Sequence, residues 1–325
     1  MALAAASRSR RSVVRVGITM ALFSALTFGS SGPMAKALIE TGWTAGAAVL
    51  VRLGGAAVVL SVAAAIAFRG RLRIEASSLR TVVTYGVVAM AGAQLAYFNA
   101  VRTLDVGVAL LLEFLAPVML LAWTSLRTRT VPPVPTVFGA ALTMVGLAFV
   151  LDLAGTGSVD PVGVAWGLLA AVCLCAFFLI SSRQHDDLPP LLMAAGGTAV
   201  GALVIAIVGL IGVVPLRFAT SDTVLAGATV SWMVPAAWLV LVSTVAAYLT
   251  GIGAILRLGT RSASFVALTE VLFAVLVAWA LLAELPGLPQ LLGGLCIVSG
   301  IVVIQRTERH RVPAPPPTAQ APQPV

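Results

Sequence analysis

The sequence predicts an all-α polytopic membrane protein of ten transmembrane helices, arranged as two inverted five-helix repeats. Three observations carry this reading. Of the 325 residues, 60% are hydrophobic and only 10% charged, with a mean hydropathy of +1.06. The apolar residues fall in stretches of about 20, the length that crosses a bilayer. The segment from Leu104 to Val150 also aligns without gaps on Leu258 to Ile304. A soluble domain carries about 25% charged residues. A chain this apolar cannot hide its surface from water, so lipid is its second solvent.

Cutting at charges, prolines and polar clusters places the spans at 16–38, 45–68, 81–101, 107–126, 136–154, 161–181, 190–214, 233–256, 262–282 and 288–305. The stretch 216–232, with Arg217 and Asp222, reads as a loop. Residues 1–15 form a basic N-terminal segment, 16–154 the first repeat and 161–305 the second. Residues 306–325 form a Pro/Ala/Gln-rich tail, too polar to fold and expected to be disordered. Arg8, Arg10, Arg11 and Arg15 ahead of an apolar run look like the start of a signal peptide. The run, however, passes Pro33 and Lys36 without a small-x-small cleavage site, and further spans follow.

Positive charge sets the orientation. With the N-terminus in the cytoplasm, the inner segments hold Arg8, Arg10, Arg11, Arg15, Arg69, Arg71, Arg73, Arg80, Arg127, Arg129, Arg183, Arg257, Arg261, Arg306, Arg309 and Arg311. The outer segments hold only Arg102 and Arg217, with Lys36 near the outer end of span one. Both termini are therefore expected in the cytoplasm and the protein in the inner (plasma) membrane.

The repeat carries its own punctuation. Leu104 meets Leu258, Pro132 meets Pro286, Pro135 meets Pro289, Gly139 meets Gly293 and Gly146 meets Gly300. In each half two glycines stand two helical turns apart, a smooth stripe for close helix packing. Five is an odd number of spans, so the second half enters the membrane upside down. The loops agree: Arg127 and Arg129 follow span four, whereas the matching loop after span nine carries Glu284 and no Lys or Arg. Inverted repeats are common in secondary transporters, whose substrate sites lie between the halves near the midplane.

Other classes fit less well. The formal charge of +8 is spread over short inter-span segments, with no basic groove carrying interleaved aromatics, so no nucleic-acid partner is expected. Cys173, Cys175 and Cys296 lie inside apolar runs and read as packing residues. The cluster His185-Asp186-Asp187 has no second ligand group beside it, so neither a metal nor a cofactor is expected. A membrane-embedded enzyme would need paired acids or a His/Ser/Asp cluster at one interface. Both histidines, His185 and His310, fall in inter-span or tail segments, and no span holds closely spaced Asp pairs. A sensor or scaffold on a carrier fold is the other alternative, since fold does not fix function.

An ionised side chain inside the bilayer is expensive, so each one invites a functional reading. Lys36, Arg52, Glu113 and Glu270 qualify. Glu113 lies roughly 9 Å below the outer end of span four, and Glu270 roughly 12 Å from the inner end of span nine. In the repeat register the two acids differ by three positions, so they fall on nearly the same helix face. They could bind a substrate ammonium or carry a coupling proton; in the competing reading each is neutral or is paired with Arg52 or Lys36 to hold the bundle together. Arg52 suits a carboxylate through its bidentate fork, with snorkelling to the outer face as the alternative. Lys36 reads as an anchor or a pathway residue. Gln94, Tyr97 and Asn99 in span three and Tyr248 in span eight could line a pathway or act as polar glue between helices. Trp123, Trp166 and Trp279 read as lipid-interface or packing residues.

The chain resembles the drug/metabolite transporter superfamily, specifically its EamA-type ten-helix members, over about 16–305. The resemblance rests on Phe28-Gly29-Ser30 with Lys36 in span one, Val51-Arg52-Leu53 early in span two, and the Pro/Gly-punctuated fifth and tenth spans. The run Gly107-Val-Ala-Leu-Leu-Leu-Glu113-Phe-Leu-Ala-Pro117 is most similar to the threonine/homoserine exporter branch. The resemblance implies export of amino acids or related small metabolites across the membrane, without an ATP-binding part. The sequence departs from the family's frequent Gly-Glu after spans four and nine, with Arg129-Thr130 and Ala283-Glu284, and from its Glu-Pro in span nine, with Glu270-Val271.

Overall fold

A computed structural model describes residues 2–69, 76–129, 131–150, 160–181, 188–258, 266 and 268–309. Six helical runs in it are long and apolar enough to cross a membrane: Val13–Glu40, Ala45–Phe68, Ser78–Ala100, Val106–Thr128, Pro190–Leu210 and Met233–Leu258. Four shorter apolar helices accompany them, at Val134–Val150, Pro161–Ala176, Thr269–Leu282 and Leu288–Ile304. The chain is a polytopic helical membrane protein.

Several spans are broken, and the breaks have chemical causes. Span one divides into α1 (Ala2–Gly29) and α2 (Ser31–Glu40). Pro33 has no N–H to give the Gly29 carbonyl four residues back, so the ladder fails there. Span four divides into α6 (Val106–Glu113) and α7 (Ala116–Thr128), with Pro117 standing in the same relation to Glu113. The span-two helix α3 (Ala45–Phe68) is continuous and begins on a cap in which the Thr44 hydroxyl accepts from the Ala47 N–H at 3.3 Å. Span three contains α4 (Ala76–Tyr85), a π-helical stretch Gly86–Ala93 and α5 (Gln94–Ala100). Span eight follows the same plan: α11 (Met233–Val240), a π-helical stretch Leu241–Ala246 and α12 (Ala247–Leu258).

The remaining helices are α8 (Val134–Val150), α9 (Pro161–Ser181), α10 (Pro190–Leu210), α13 (Thr269–Leu282) and α14 (Leu288–Arg309). Boundaries differ from expectation in several places: α1 starts at Ala2 rather than at 16, α4 at Ala76 rather than at 81, α10 ends at Leu210 rather than at 214, and the last helix runs past 305 to Arg309. The rest of the proposed tail, and the cluster at 185–187, lie outside the described residues. Asp160 caps α9, accepting from the Val162 N–H at 3.0 Å. A hydrogen bond with Thr103 and that backbone bond hold its carboxyl below the ordinary range.

The all-α expectation needs one correction. The stretch 216–232 contains a hairpin, β1 (Thr223–Leu225) and β2 (Ala228–Val230), paired antiparallel with Leu225 opposite Ala228. Ala226 and Gly227 both have positive φ (51° and 77°), as a two-residue type I′ turn requires. The hairpin is docked: the Ala226 N–H donates to the Leu281 carbonyl at 2.8 Å and the Thr223 hydroxyl to the Ala37 carbonyl at 3.0 Å.

Small residues bring the helices together. A Cβ on Gly146 would stand 2.5 Å from the Gly293 carbonyl oxygen, and one on Gly139 would stand 2.7 Å from that of Gly300. The two glycine stripes expected from the repeat therefore pack on each other, α8 against α14. Without a hydrophobic drive between helices in lipid, this close backbone approach is what supplies attraction. Large apolar side chains such as Val58, Ile66, Phe138 and Leu272 face outward, as does Trp279.

Candidate functional site

The polar centre is built around Arg52, which α3 carries into the bundle. Its residue exposure is 2%, so the side chain is held inside the bundle and does not snorkel to the outer face. Its Nε–H donates to the Thr244 hydroxyl at 2.9 Å, one terminal nitrogen to the Gln94 Oε1 at 2.7 Å and the other to the Ser243 carbonyl at 3.2 Å. The guanidinium also lies over the Phe98 ring, 5.4 Å from its centroid. A guanidinium has five N–H donors, so these three bonds leave two for another acceptor. Ser243 and Thr244 come from the π-helical stretch of span eight, and Gln94 follows directly on that of span three. Such local widening of a helix recurs at functional sites.

Ser243 extends the network. Its hydroxyl lies 2.8 Å from that of Ser30, which also accepts from the Trp238 indole N–H at 2.9 Å. Ser30 is the residue at the break of span one, so the break, α11 and the arginine share one chain of hydrogen bonds. Sequence reasoning missed Ser30, Trp238, Ser243 and Thr244. Their signal was the pair of hydroxyl dipeptides, Ser30-Ser31 and Ser243-Thr244, inside otherwise apolar spans.

Glu113 stands at the break of span four, and Glu270 beside the start of the span-nine helix. Glu113 is the last residue of α6, and Glu270 is in the first turn of α13. Both are half-buried, and the charges of Arg52, Glu113 and Glu270 are close enough to act on one another. Gly29 lets the span-one break press on this turn: a Cβ there would be 2.8 Å from the Glu270 carbonyl oxygen. Among the described residues neither carboxyl has a hydrogen bond or ion pair, to Arg52, Lys36 or any other group.

Tyr97 is buried, with its ring 5.9 Å from Phe98 and its hydroxyl against Gly32. Tyr248 packs edge-on against Phe28 at 5.1 Å, and its hydroxyl donates to the Met90 sulfur at 3.3 Å. Both tyrosines lie within electrostatic reach of Arg52. The half-buried Asn99 spends its amide N–H on the Leu95 carbonyl at 2.8 Å, leaving its carbonyl oxygen open.

Lys36 departs from the group. It is ion-paired with Glu284 and donates to the Leu104 carbonyl at 3.1 Å. It therefore ties the hairpin end of the bundle together, away from the Arg52 cluster. A separate groove of about 490 Å³ runs between α6, α13 and α14, lined almost wholly by apolar side chains such as Val108, Leu111 and Val275. The Arg52 cluster is not part of it.

Fold and centre together define a multi-pass membrane protein with a buried arginine and two half-buried carboxyl groups within electrostatic reach of one another. The chain belongs to the EamA-like transporter family, whose model matches it twice, over residues 15–152 and 161–306. It is 24% identical over 313 residues to the uncharacterized inner membrane transporter YicL of Salmonella typhimurium, covering 92% of this chain and 98% of that one. A solved crystal structure, at 18% identity, covers 90% of this chain and 98% of its own with a TM-score of 0.52, a likeness of fold.

Proposed function

We propose that this protein is a secondary transporter of the inner membrane, exporting small metabolites such as amino acids by alternating access between two inverted five-helix halves. The observation that carries the reading is the buried Arg52, held by neutral partners only and facing two carboxyl groups that have none. A charge is costly to bury without a compensating partner, and a zwitterionic solute would supply one to each side. Its carboxylate would take the two free N–H groups of Arg52, and its ammonium would lie against Glu113 or Glu270. The remaining acid is then a candidate carrier for a coupling proton.

Ten spans and an inverted repeat are favoured by features that recur 154 residues apart. The helices α7 and α13 both end on left-handed residues, Arg129 (φ 53°) and Ala283 (φ 58°). The π-helical stretches, and the starts of α7 at Ala116 and α13 at Thr269, recur at nearly the same interval. The two matches to the family model support the same division. Resemblance to the threonine/homoserine exporter branch supports amino acids as the solutes and outward as the direction.

The test is reconstitution in liposomes, with counterflow of radiolabelled amino acids measured with and without a pH gradient. Parent protein should exchange at least one amino acid. Glu113→Gln and Glu270→Gln, which keep volume and hydrogen-bonding capacity, should each lower flux at least tenfold at normal abundance, about 1.4 kcal/mol of lost differential binding. Parental flux in both variants across pH 5–8 would remove the two acids from the site. Absence of any exchange by the parent would favour the sensor or scaffold alternative.

A further inference from the structure

The breaks that shape the site also shape the end of the molecule that carries the hairpin. Three helices run from the level of the site to that end. α2 leaves the break at Ser30, α6 has Glu113 at its far end, and α13 has Glu270 in its first turn. All three converge on Glu284, the second residue beyond α13. One Glu284 oxygen is paired with Lys36 of α2; the other accepts from the Val106 N–H, the first residue of α6, at 3.0 Å. Lys36 completes the knot by donating to the Leu104 carbonyl ahead of α6.

The rest of this end is tied across the two halves of the chain in the same way. The Trp43 indole donates to the Ala219 carbonyl at 2.7 Å, and its ring sits against both Phe218 and Trp232. Thr44 exchanges backbone and side-chain bonds with Pro215 and Arg217. The Gln290 amide reaches the Asp105 carboxylate at 3.4 Å. These bonds hold the two halves together at the hairpin end.

We propose that Lys36 and Glu284 form a latch that closes the site at the hairpin end, and that α2 and α6 are the hinged half-helices it releases. The proposal rests on the transport reading, because a gate implies a solute that passes it. The physical logic is local. The ion pair is mostly screened from solvent, with side-chain exposures of 15% and 14%, so water weakens it little. Its partners sit at the ends of rods whose other ends hold the site acids. A solute drawing on Glu113 would pull α6 at its break, where no continuous ladder resists bending. Bending moves Val106 relative to Lys36 and Glu284 and parts the latch. The break of span four thus places Glu113 and supplies a hinge.

Thiol labelling tests the latch without any solute, so its outcome is separate from that of the transport assay. Phe114→Cys, at the break of span four, is labelled with a membrane-impermeant maleimide from the side on which Ala228→Cys, at the exposed start of β2, reacts. The protein without Phe114→Cys gives the background from the native cysteines. Adding Lys36→Gln, or Lys36→Gln with Glu284→Gln, should speed labelling of Phe114→Cys at least tenfold. Arg217→Gln, an exposed charge at the same end, should leave the rate unchanged. The double variant keeps an acceptor for the Val106 N–H and leaves no lone charge, so it decides the matter if the single variant fails to accumulate. Labelling of the double variant within twofold of Phe114→Cys alone overturns the latch, as does equal acceleration by Arg217→Gln.

Discussion

At the scale of single residues, Arg52 governs the centre because it satisfies three neutral acceptors and leaves donors over. Replacing it separates recognition from stability. Arg52→Lys keeps the charge but cannot reach the Thr244 hydroxyl, the Gln94 Oε1 and the Ser243 carbonyl in one plane. It should accumulate in the membrane and show a solute KM at least tenfold higher in counterflow. Arg52→Met would strand three buried acceptors at about 1–3 kcal/mol each, so its detergent-solubilised form should melt well below the parent. A smaller effect is expected at Ala283, whose left-handed φ of 58° burdens a side chain that glycine lacks. Ala283→Gly should raise stability by roughly 0.5 kcal/mol, the relief of strain less the added freedom of the unfolded chain. No change or a fall in melting temperature would show that strain at this turn is absorbed elsewhere. The ionisable members of the site stood out in the sequence because lipid makes charge conspicuous. Ser30, Ser243, Thr244 and Trp238 did not, since hydroxyls and indoles are common in spans and only the fold aims them at one guanidinium.

At the scale of elements, packing is decided by what glycine leaves out. Gly146→Leu or Gly300→Leu drives a side chain into the backbone of the partner helix, where even a Cβ would collide. Either should sharply lower the amount of folded protein recovered from membranes. A Cβ added to Gly54 in α3 would instead meet nothing within 4 Å. Gly54→Ala should therefore be tolerated, and its gain in helix propensity should raise stability by about 0.5–1 kcal/mol. Equal loss in both kinds of variant would mean that glycine matters here for flexibility and not for contact. The stripes were legible because two helical turns is a sequence spacing. That the two stripes face each other was not, because nothing in one repeat says which helix of the other it meets.

At the scale of the whole molecule, the arginine asymmetry predicts an orientation that reporters can read. Fusions after Arg311 and within 183–189 should report cytoplasm, whereas fusions near residue 158 and within 218–224 should report the outside. An outside signal from the loop holding Arg127 and Arg129 would overturn both the orientation and the inverted repeat. Removing everything after Arg309, where the last helix ends, should leave insertion and flux unchanged, because the Pro/Ala/Gln composition offers no apolar surface to pack.

The sequence by itself determined the solvent, the long apolar spans, the glycine stripes and the charged residues worth attention. Each follows from composition, length or spacing, and the cost of polarity in lipid makes those signals strong. Only the tertiary structure decided which charges meet. It turned Lys36 away to Glu284, brought Arg52 inward to a hydroxyl, an amide and a backbone carbonyl, and left Glu113 and Glu270 without partners among the described residues. It also found the hairpin and the π-helical stretches. The physical reason is that a bond between side chains hundreds of residues apart depends on how helices are rotated and broken, and that is settled by packing between elements rather than by any local pattern.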